Sequence, residues 1–405
     1  MQPTRREAFH FWLKLGFISF GGPAGQIAIM HREAVVNRRW IDERTFMQAL
    51  NFCVLVPGPE ALQLAIWLGW RLHGTQGGVV AGLLFLGPSV AILLGLSFIY
   101  AMHGDLPVVA AALYGLQATV IALILQALVR IARHGLKRRA YWLLAFVAFV
   151  LMAGRLAPFP LVIAGAALAG MFIGTDAPAR PGPAPPAQFP KRTLAAGFVL
   201  WAIPAVAILA IAGPDSIYAG LYRFFTTTAL VTFGGAYAIL AWVNQQAVEA
   251  YGWITQADTL AGLALAETTP GPLIMVLQFV GFMAGWHASE GSAATATVTA
   301  LLTSWAIFLP SFVFILVGAP YVLQLDASRR LSAALAGLTA AVVGIVASVA
   351  VAFGRGVFFP DGLAAPDWGA IAIAAAAFTV VQWTRVDVLW VIAGGLAAGL
   401  ALRFA

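Results

Sequence analysis

The chain predicts an all-α polytopic membrane protein built from two inverted-topology repeats with Gly/Pro-broken, re-entrant helical hairpins. Three observations predict it. Of the 405 residues, 61% are hydrophobic and only 10% charged, against about 25% charged in soluble domains. A run of about forty residues recurs at a constant offset of 213: Ser19-Phe20-Gly21-Gly22 as Thr232-Phe233-Gly234-Gly235, Trp40-Ile41 as Trp253-Ile254, and Pro57-Gly58-Pro59 as Pro270-Gly271-Pro272. The loop charges reverse between matched positions of the two copies.

The apolar segments are 8–36, 45–72, 79–101, 107–130, 139–153, 158–174, 193–212, 217–248, 257–285, 293–320, 328–353, 367–383 and 386–402. Helix is expected in each, because backbone facing lipid must satisfy its own hydrogen bonds. Segments 45–72 and 257–285 are interrupted by Pro-Gly-Pro. Each arm of about 12 residues reaches ~18 Å as helix, enough to enter the ~30 Å hydrocarbon and return but not to cross it. Segments 8–36 and 217–248 break similarly at Gly-Gly. All four read as re-entrant hairpins, with a kinked full span as the alternative. Near Pro88 and Pro310 the offset has grown to 222, so the second copy carries about nine extra residues, placed near 288–297.

Loop 31–44 holds Arg32, Arg38, Arg39 and Arg44, while its counterpart 244–257 has no Lys or Arg. Loop 130–139 is rich in Arg and Lys; its counterpart near 354–366 has Arg355 alone. At 102–107 the bias reverses, since the matching loop carries Arg329 and Arg330. By the positive-inside rule the two halves are oppositely oriented, with a cytoplasmic N-terminus. The predicted organisation is a first repeat at 1–175, a Pro/Ala-rich linker at 176–192, an inverting helix at 193–212 with no counterpart, and a second repeat at 213–405.

Composition also excludes. The net charge of +7 follows from basic cytoplasmic loops rather than from nucleic-acid binding. Cys53 is the single cysteine, which rules out an intrachain disulfide or a Cys-based metal centre. The chain has no HExxH, no GxSxG and no phosphate-binding loop, so an intramembrane enzyme is disfavoured and no cofactor or metal is expected. Arg5-Arg6 before an apolar stretch resembles a leader, but Lys14 interrupts it and no cleavage site follows.

The breaks are where chemistry is expected. A helix N-terminus offers unpaired N–H groups and about half a positive charge, an anion site. Pro23, Pro59 and Pro272 suit the first turn of the following arm, where a missing N–H costs little. Gly21, Gly22, Gly58, Gly234, Gly235 and Gly271 let an anion approach backbone. Around them stand Pro57, Pro270 and the polar side chains Ser19, Gln26, Gln63, Thr232, Thr268, Thr269 and Gln278. Such hydroxyls and amides suit a tetrahedral oxyanion, though each also suits a bond to its own helix. Lys14, about two turns before Gly-Gly, would attract the anion. Glu60 and Glu267 flank the Pro-Gly-Pro turns as proton-coupling candidates, because a carboxyl withdrawn from water favours its neutral form. Glu60 also fits the acidic preference of a helix's first turn.

These motifs carry a resemblance. Phe11-Trp12-Leu13-Lys14-Leu15-Gly16-Phe17-Ile18-Ser19-Phe20-Gly21-Gly22-Pro23-Ala24-Gly25-Gln26 and Leu55-Val56-Pro57-Gly58-Pro59-Glu60-Ala61 resemble the first-repeat signatures of the chromate ion transporter family. Ala229-Leu230-Val231-Thr232-Phe233-Gly234-Gly235-Ala236-Tyr237 and Glu267-Thr268-Thr269-Pro270-Gly271-Pro272-Leu273-Ile274-Met275 are similar to the second-repeat ones. The likeness covers nearly the whole chain in the long, two-repeat form. It implies export of chromate across the bacterial inner membrane, driven by the proton motive force, with sulfate as a structural mimic. One departure stands out. Thr227 occupies the position matching Lys14, where the family leads one to expect a basic residue, and Arg223 lies one turn earlier. A permease for sulfate or another oxyanion and an anion channel are the competing readings. The bilayer is the expected surrounding, and a homodimer is compatible with the chain.

Overall fold

The structure is a computed structural model that describes residues 3–104, 106–174, 190–233, 235–322, 329–384 and 386–404. Most of the Pro/Ala-rich linker lies outside the described residues. Among those described, regular structure is helical throughout.

The first copy contains α1 (Arg5–Ile18), α2 (Gly22–His31), α3 (Glu43–Leu55), α4 (Glu60–His103), α5 (Pro107–Gly135), α6 (Arg139–Ala153) and α7 (Phe159–Ile173). Helix α8 (Lys191–Ile211) follows. The second copy contains α9 (Ile217–Val231), α10 (Ala236–Val243), α11 (Gln256–Glu267), α12 (Val276–Ala288), α13 (Ala293–Gly318), α14 (Arg329–Phe358), α15 (Trp368–Trp383) and α16 (Val388–Phe404).

Helix starts follow local chemistry. Thr4 and Glu7 form a capping box at α1, and Thr255 with Asp258 forms one at α11. Asp42, Ser216, Ser292 and Asp367 cap α3, α9, α13 and α15. Each supplies a side-chain oxygen to an N–H that would otherwise lack a partner. The copies agree in fine detail: both α2 and α10 end in a π-helical turn, Arg32–Asn37 and Asn244–Ala250. In each, a Trp N–H closes the turn on an Ala carbonyl, Trp40 on Ala34 and Trp253 on Ala247, both at 2.8 Å.

Among the described residues, five helical stretches are long and apolar enough to cross a membrane: Glu60–His103, Pro107–Gly135, Lys191–Ile211, Ala293–Tyr321 and Arg330–Phe358. Together with the shorter apolar helices they make this a multi-pass membrane protein. The arms flanking the breaks are short: 14 and 10 residues for α1 and α2, 13 for α3, 15 and 8 for α9 and α10, 12 and 13 for α11 and α12.

Two boundaries differ from the sequence expectation, while the separation of segments 45–72 and 79–101 holds. Within α4 the backbone leaves the helical region at His73 and at Gly74 (φ +66°) and doubles back, so that Gly69 packs on Gly77 and the two arms are separate helices. In the second copy a loop between Ala288 and Ala293 occupies that place. Helix α5 extends to Gly135, so Arg130 and Arg133 are helical rather than in a loop. Arg355 likewise belongs to α14.

The chain forms two compact units, each drawing on both copies: residues 1–98, 180–235 and 269–326 in one; 99–179, 236–268 and 327–405 in the other. In the first unit α13 packs on α9 and α12. Helix α8 buries only Gly197 and leaves Phe198, Ile203, Val206 and Ile211 exposed, as expected of a helix bathed in lipid. In the second unit α14 packs against α5, α6 and α7. There Gly170 and Gly337 sit so close that a Cβ on either would strike the other helix's backbone, the small-residue packing of membrane helices.

Candidate functional site

Four breaks define the site, and all lie in the first unit. After α1 the chain turns through Gly21 and Gly22 (φ +83° and +69°) into α2, whose N-terminus has no side-chain cap. After α3 it turns through Gly58 (φ +129°) into α4; after α9 through Gly235 (φ +87°); after α11 through Gly271 (φ +108°). Gly234 lies outside the described residues. Pro23 occupies the first turn of α2. Pro59 stands one residue ahead of α4, and Pro272 one residue ahead of a 3-10 turn, Leu273–Met275, that leads into α12.

The breaks meet in pairs, each pair joining the two copies. The Gly271 N–H donates to the Ser19 carbonyl at 2.7 Å, and the Gly58 N–H donates to the Thr232 carbonyl at 2.8 Å. The four residues obey the 213 offset, so one contact is the counterpart of the other. At the first crossing Gln26 Nε2 donates to Gly271 O (2.5 Å) and Ser19 O (3.1 Å), and Ser89 Oγ donates to Pro270 O (2.5 Å). Gln278 Nε2 donates to Val90 O, and Ser304 Oγ to Gln278 Oε1, both at 2.9 Å. At the second crossing Gln63 Nε2 donates to Pro57 O at 2.8 Å.

A Cβ at Gly271 would collide with Ser89 Oγ, and one at Gly58 with Ser311 Oγ and Gln63 Nε2. The polar groups are withdrawn from the surface: Ser19, Gln26, Gln63 and Ser89 are 0% exposed, Thr232, Gln278 and Ser311 1%, and Thr269 4%. Gln26 Oε1, Gln63 Oε1 and the Trp67 indole N–H are buried with no hydrogen-bond partner. Buried polar groups are normally satisfied, so the neighbourhood has spare hydrogen-bonding capacity.

Other expected residues lie elsewhere. Lys14 is exposed on α1, beside Arg6, Glu7, His10, Phe11 and Arg38 around a surface hollow. The Arg38 guanidinium stacks over Phe11 and Trp40, at 5.6 and 5.0 Å from the ring centroids. Arg223 and Thr227 are exposed on α9, where the Thr227 hydroxyl donates to Arg223 O. Glu60 is half-buried in the first turn of α4. In the second unit Thr268 donates to Leu265 O, and the Glu267 carboxylate accepts a short hydrogen bond from the Tyr237 hydroxyl. No group of His, Cys, Asp and Glu able to hold a metal ion occurs among the described residues.

Sequence reasoning missed Ser89, Ser311 and Tyr237. The first two had a signal, since Pro88-Ser89 and Pro310-Ser311 share the offset of 222. Tyr237 had none beyond its place in the second Gly-Gly motif.

The family model described as chromate transporter matches residues 6–171 and 219–400, covering both copies. This chain belongs to the chromate transporter family. Among its relatives, a chromate transport protein of Pseudomonas aeruginosa is 32% identical over 348 residues, 85% of this chain and 80% of that protein. A probable chromate transport protein of Synechococcus elongatus is 28% identical over 354 residues, 86% of this chain and 84% of the relative. A chromate transport protein of Cupriavidus metallidurans is 27% identical over 352 residues, 87% and 83% of the two chains. No solved structure matches the chain. The two matched blocks of the chromate transporter model leave out α8 and the linker before it, so α8 stands between the repeats.

Proposed function

We propose that the protein is a secondary transporter that exports chromate, a tetrahedral divalent oxyanion, from the cytoplasm across the inner membrane, with the N-terminus cytoplasmic and protons as the coupling ion. The observation that carries this reading is the pair of crossed hydrogen bonds, Gly271 to Ser19 and Gly58 to Thr232, in a chain of the chromate transporter family. Half-helix ends meeting at a repeat interface are the binding architecture of many secondary transporters.

The glycine N–H groups expected to face the anion are engaged by carbonyls of the opposite copy. A dianion would compete for them, and a charge-assisted hydrogen bond is roughly twice as strong as a neutral one. Anion arrival would therefore exchange a bond between copies for a bond to the ligand. The uncapped start of α2 adds N–H groups and a positive dipole end. In an inverted arrangement, opening one crossing and then the other would expose the ion to alternate sides. Glu267, held by Tyr237, is the proposed proton carrier, with Glu60, which follows the Pro-Gly-Pro turn of the first copy, as the alternative. Lys14, exposed on α1, is assigned to attraction rather than to coordination.

The test is uptake of labelled chromate and of labelled sulfate into everted vesicles, with and without an imposed pH gradient. Gradient-stimulated chromate accumulation is expected. Accumulation of sulfate alone would identify a sulfate permease, and passage with no response to the proton gradient would identify a channel.

A further inference from the structure

Two buried hydroxyls at the breaks behave unlike the others. In membrane helices Ser and Thr commonly bond the carbonyl one turn back. Ser19, Ser97, Thr119, Thr228 and Thr232 all do so here, on Leu15, Leu93, Gly115, Phe224 and Thr228. Ser89 instead reaches out of α4 to the Pro270 carbonyl, in the Pro-Gly-Pro turn of the other copy. Its counterpart at the 222 offset, Ser311 in α13, lies with its Oγ against the backbone of Gly58, in the Pro-Gly-Pro turn of the first copy. Each serine immediately follows a helix-interior proline, Pro88 and Pro310. A proline lacks an N–H and clashes with the carbonyl four residues back, which loosens the helix locally. The arrangement thus occurs twice, with each hydroxyl set at the opposite copy's glycine, 0% and 1% exposed.

We propose that Ser89 and Ser311 are a pair of hydroxyl donors to the transported oxyanion, one at each crossing. The proposal rests on the oxyanion-transport reading above and adds two ligands to it. A serine hydroxyl has one hydrogen to donate and a rotatable C–O bond, so it can leave a carbonyl acceptor for an anion oxygen without moving the helix. A carbonyl left behind in the closed structure regains its partner when the ion departs. A tetrahedral ion offers four oxygens, enough to take a glycine N–H and a serine O–H from one crossing at once. No basic side chain is needed at this depth, in keeping with the exposed position of Lys14.

The experiment uses the full-length protein reconstituted in vesicles of zwitterionic lipid, with chromate and sulfate as probes. Loss of a hydrogen bond to a charged ligand is expected to raise KM for chromate by about tenfold or more in Ser89→Ala and in Ser311→Ala. Ser89→Thr and Ser311→Thr, which keep the hydroxyl, should retain most of the affinity. The thermal unfolding midpoint of each variant is measured with and without chromate, because a serine that only ties the helices together would lower the midpoint and leave KM alone. That outcome, an unchanged KM in both alanine variants of an active protein, overturns the proposal and leaves the transport reading intact. Wild-type protein inert toward both ions would overturn the transport reading and the proposal with it. Should Ser89→Ala fail to insert, Ser311→Ala at the other crossing carries the same test.

Discussion

The backbone N–H of Gly271 lies 2.7 Å from the carbonyl of Ser19, a contact that ties the Pro-Gly-Pro turn of one copy to the Gly-Gly break of the other. Its symmetry mate between Gly58 and Thr232 is 2.8 Å long. The breaks are therefore not independent kinks. Each crossing ties a break of one copy to a break of the other, and a side chain added at Gly271 or Gly58 would collide with a serine of the opposite copy, Ser89 or Ser311.

Gly271→Ala should abolish chromate transport while leaving the protein inserted. Its φ of +108° is a region that L side chains rarely adopt, and the new Cβ would collide with Ser89 Oγ. Gly58→Ala should behave alike, at φ +129° and against Ser311 and Gln63. The measurement is chromate resistance of cells together with the amount of protein in the membrane. Full resistance in cells carrying Gly271→Ala would show that the crossing tolerates a side chain and does not form the ion's path.

Much of this geometry was legible in the sequence, for a physical reason. Lipid forces backbone to be helical, so the only departures are those that Gly and Pro permit, and these stand out in apolar segments. The repeat offsets even paired the correct positions. What the offsets could not convey is which copy each break faces. Ser19 and Gly271 are separated by 252 residues, and their contact depends on tertiary packing. The asymmetry between crossings was equally hidden. Gln26 bridges Ser19 and Gly271, but the matching position holds Ile239.

Lys14→Ala should raise KM for chromate several-fold at low ionic strength and much less at high salt. The side chain is exposed in a cluster with Arg6, His10 and Arg38, where charge acts through water and is screened within ~10 Å at 0.1 M salt. Lys14→Arg should stay near wild type. A loss that is equally large at both salt concentrations would place Lys14 in direct contact with the ion instead.

The inverted arrangement has its own test. Asn37 and Ala250 are matched at the 213 offset, and both are exposed at the ends of the two π-helical turns. Cysteines placed there should react with a membrane-impermeant thiol reagent from opposite sides. The native thiol, Cys53, is buried and should stay silent. Labelling of both positions from the cytoplasmic side would sink the inverted repeat.

Proton coupling is expected at Glu267. Its carboxylate ends α11, three residues before Pro270, and its identified hydrogen-bonding partner is the Tyr237 hydroxyl. Tyr237 can donate to the ionised form and accept from the neutral one, so it can hold the carboxyl in place in either state. A neutral carboxyl tolerates a nearby dianion, whereas an ionised one repels it. Binding of the proton and binding of chromate should then favour each other, and by linkage the coupling is reciprocal. Glu267→Gln copies the neutral form. It should bind chromate with near wild-type affinity yet lose the stimulation of uptake by an imposed pH gradient in everted vesicles. Tyr237→Phe keeps the carboxyl but removes its partner, and should weaken the stimulation without erasing it. Full gradient stimulation in Glu267→Gln would remove this residue from the coupling step and move the role to Glu60.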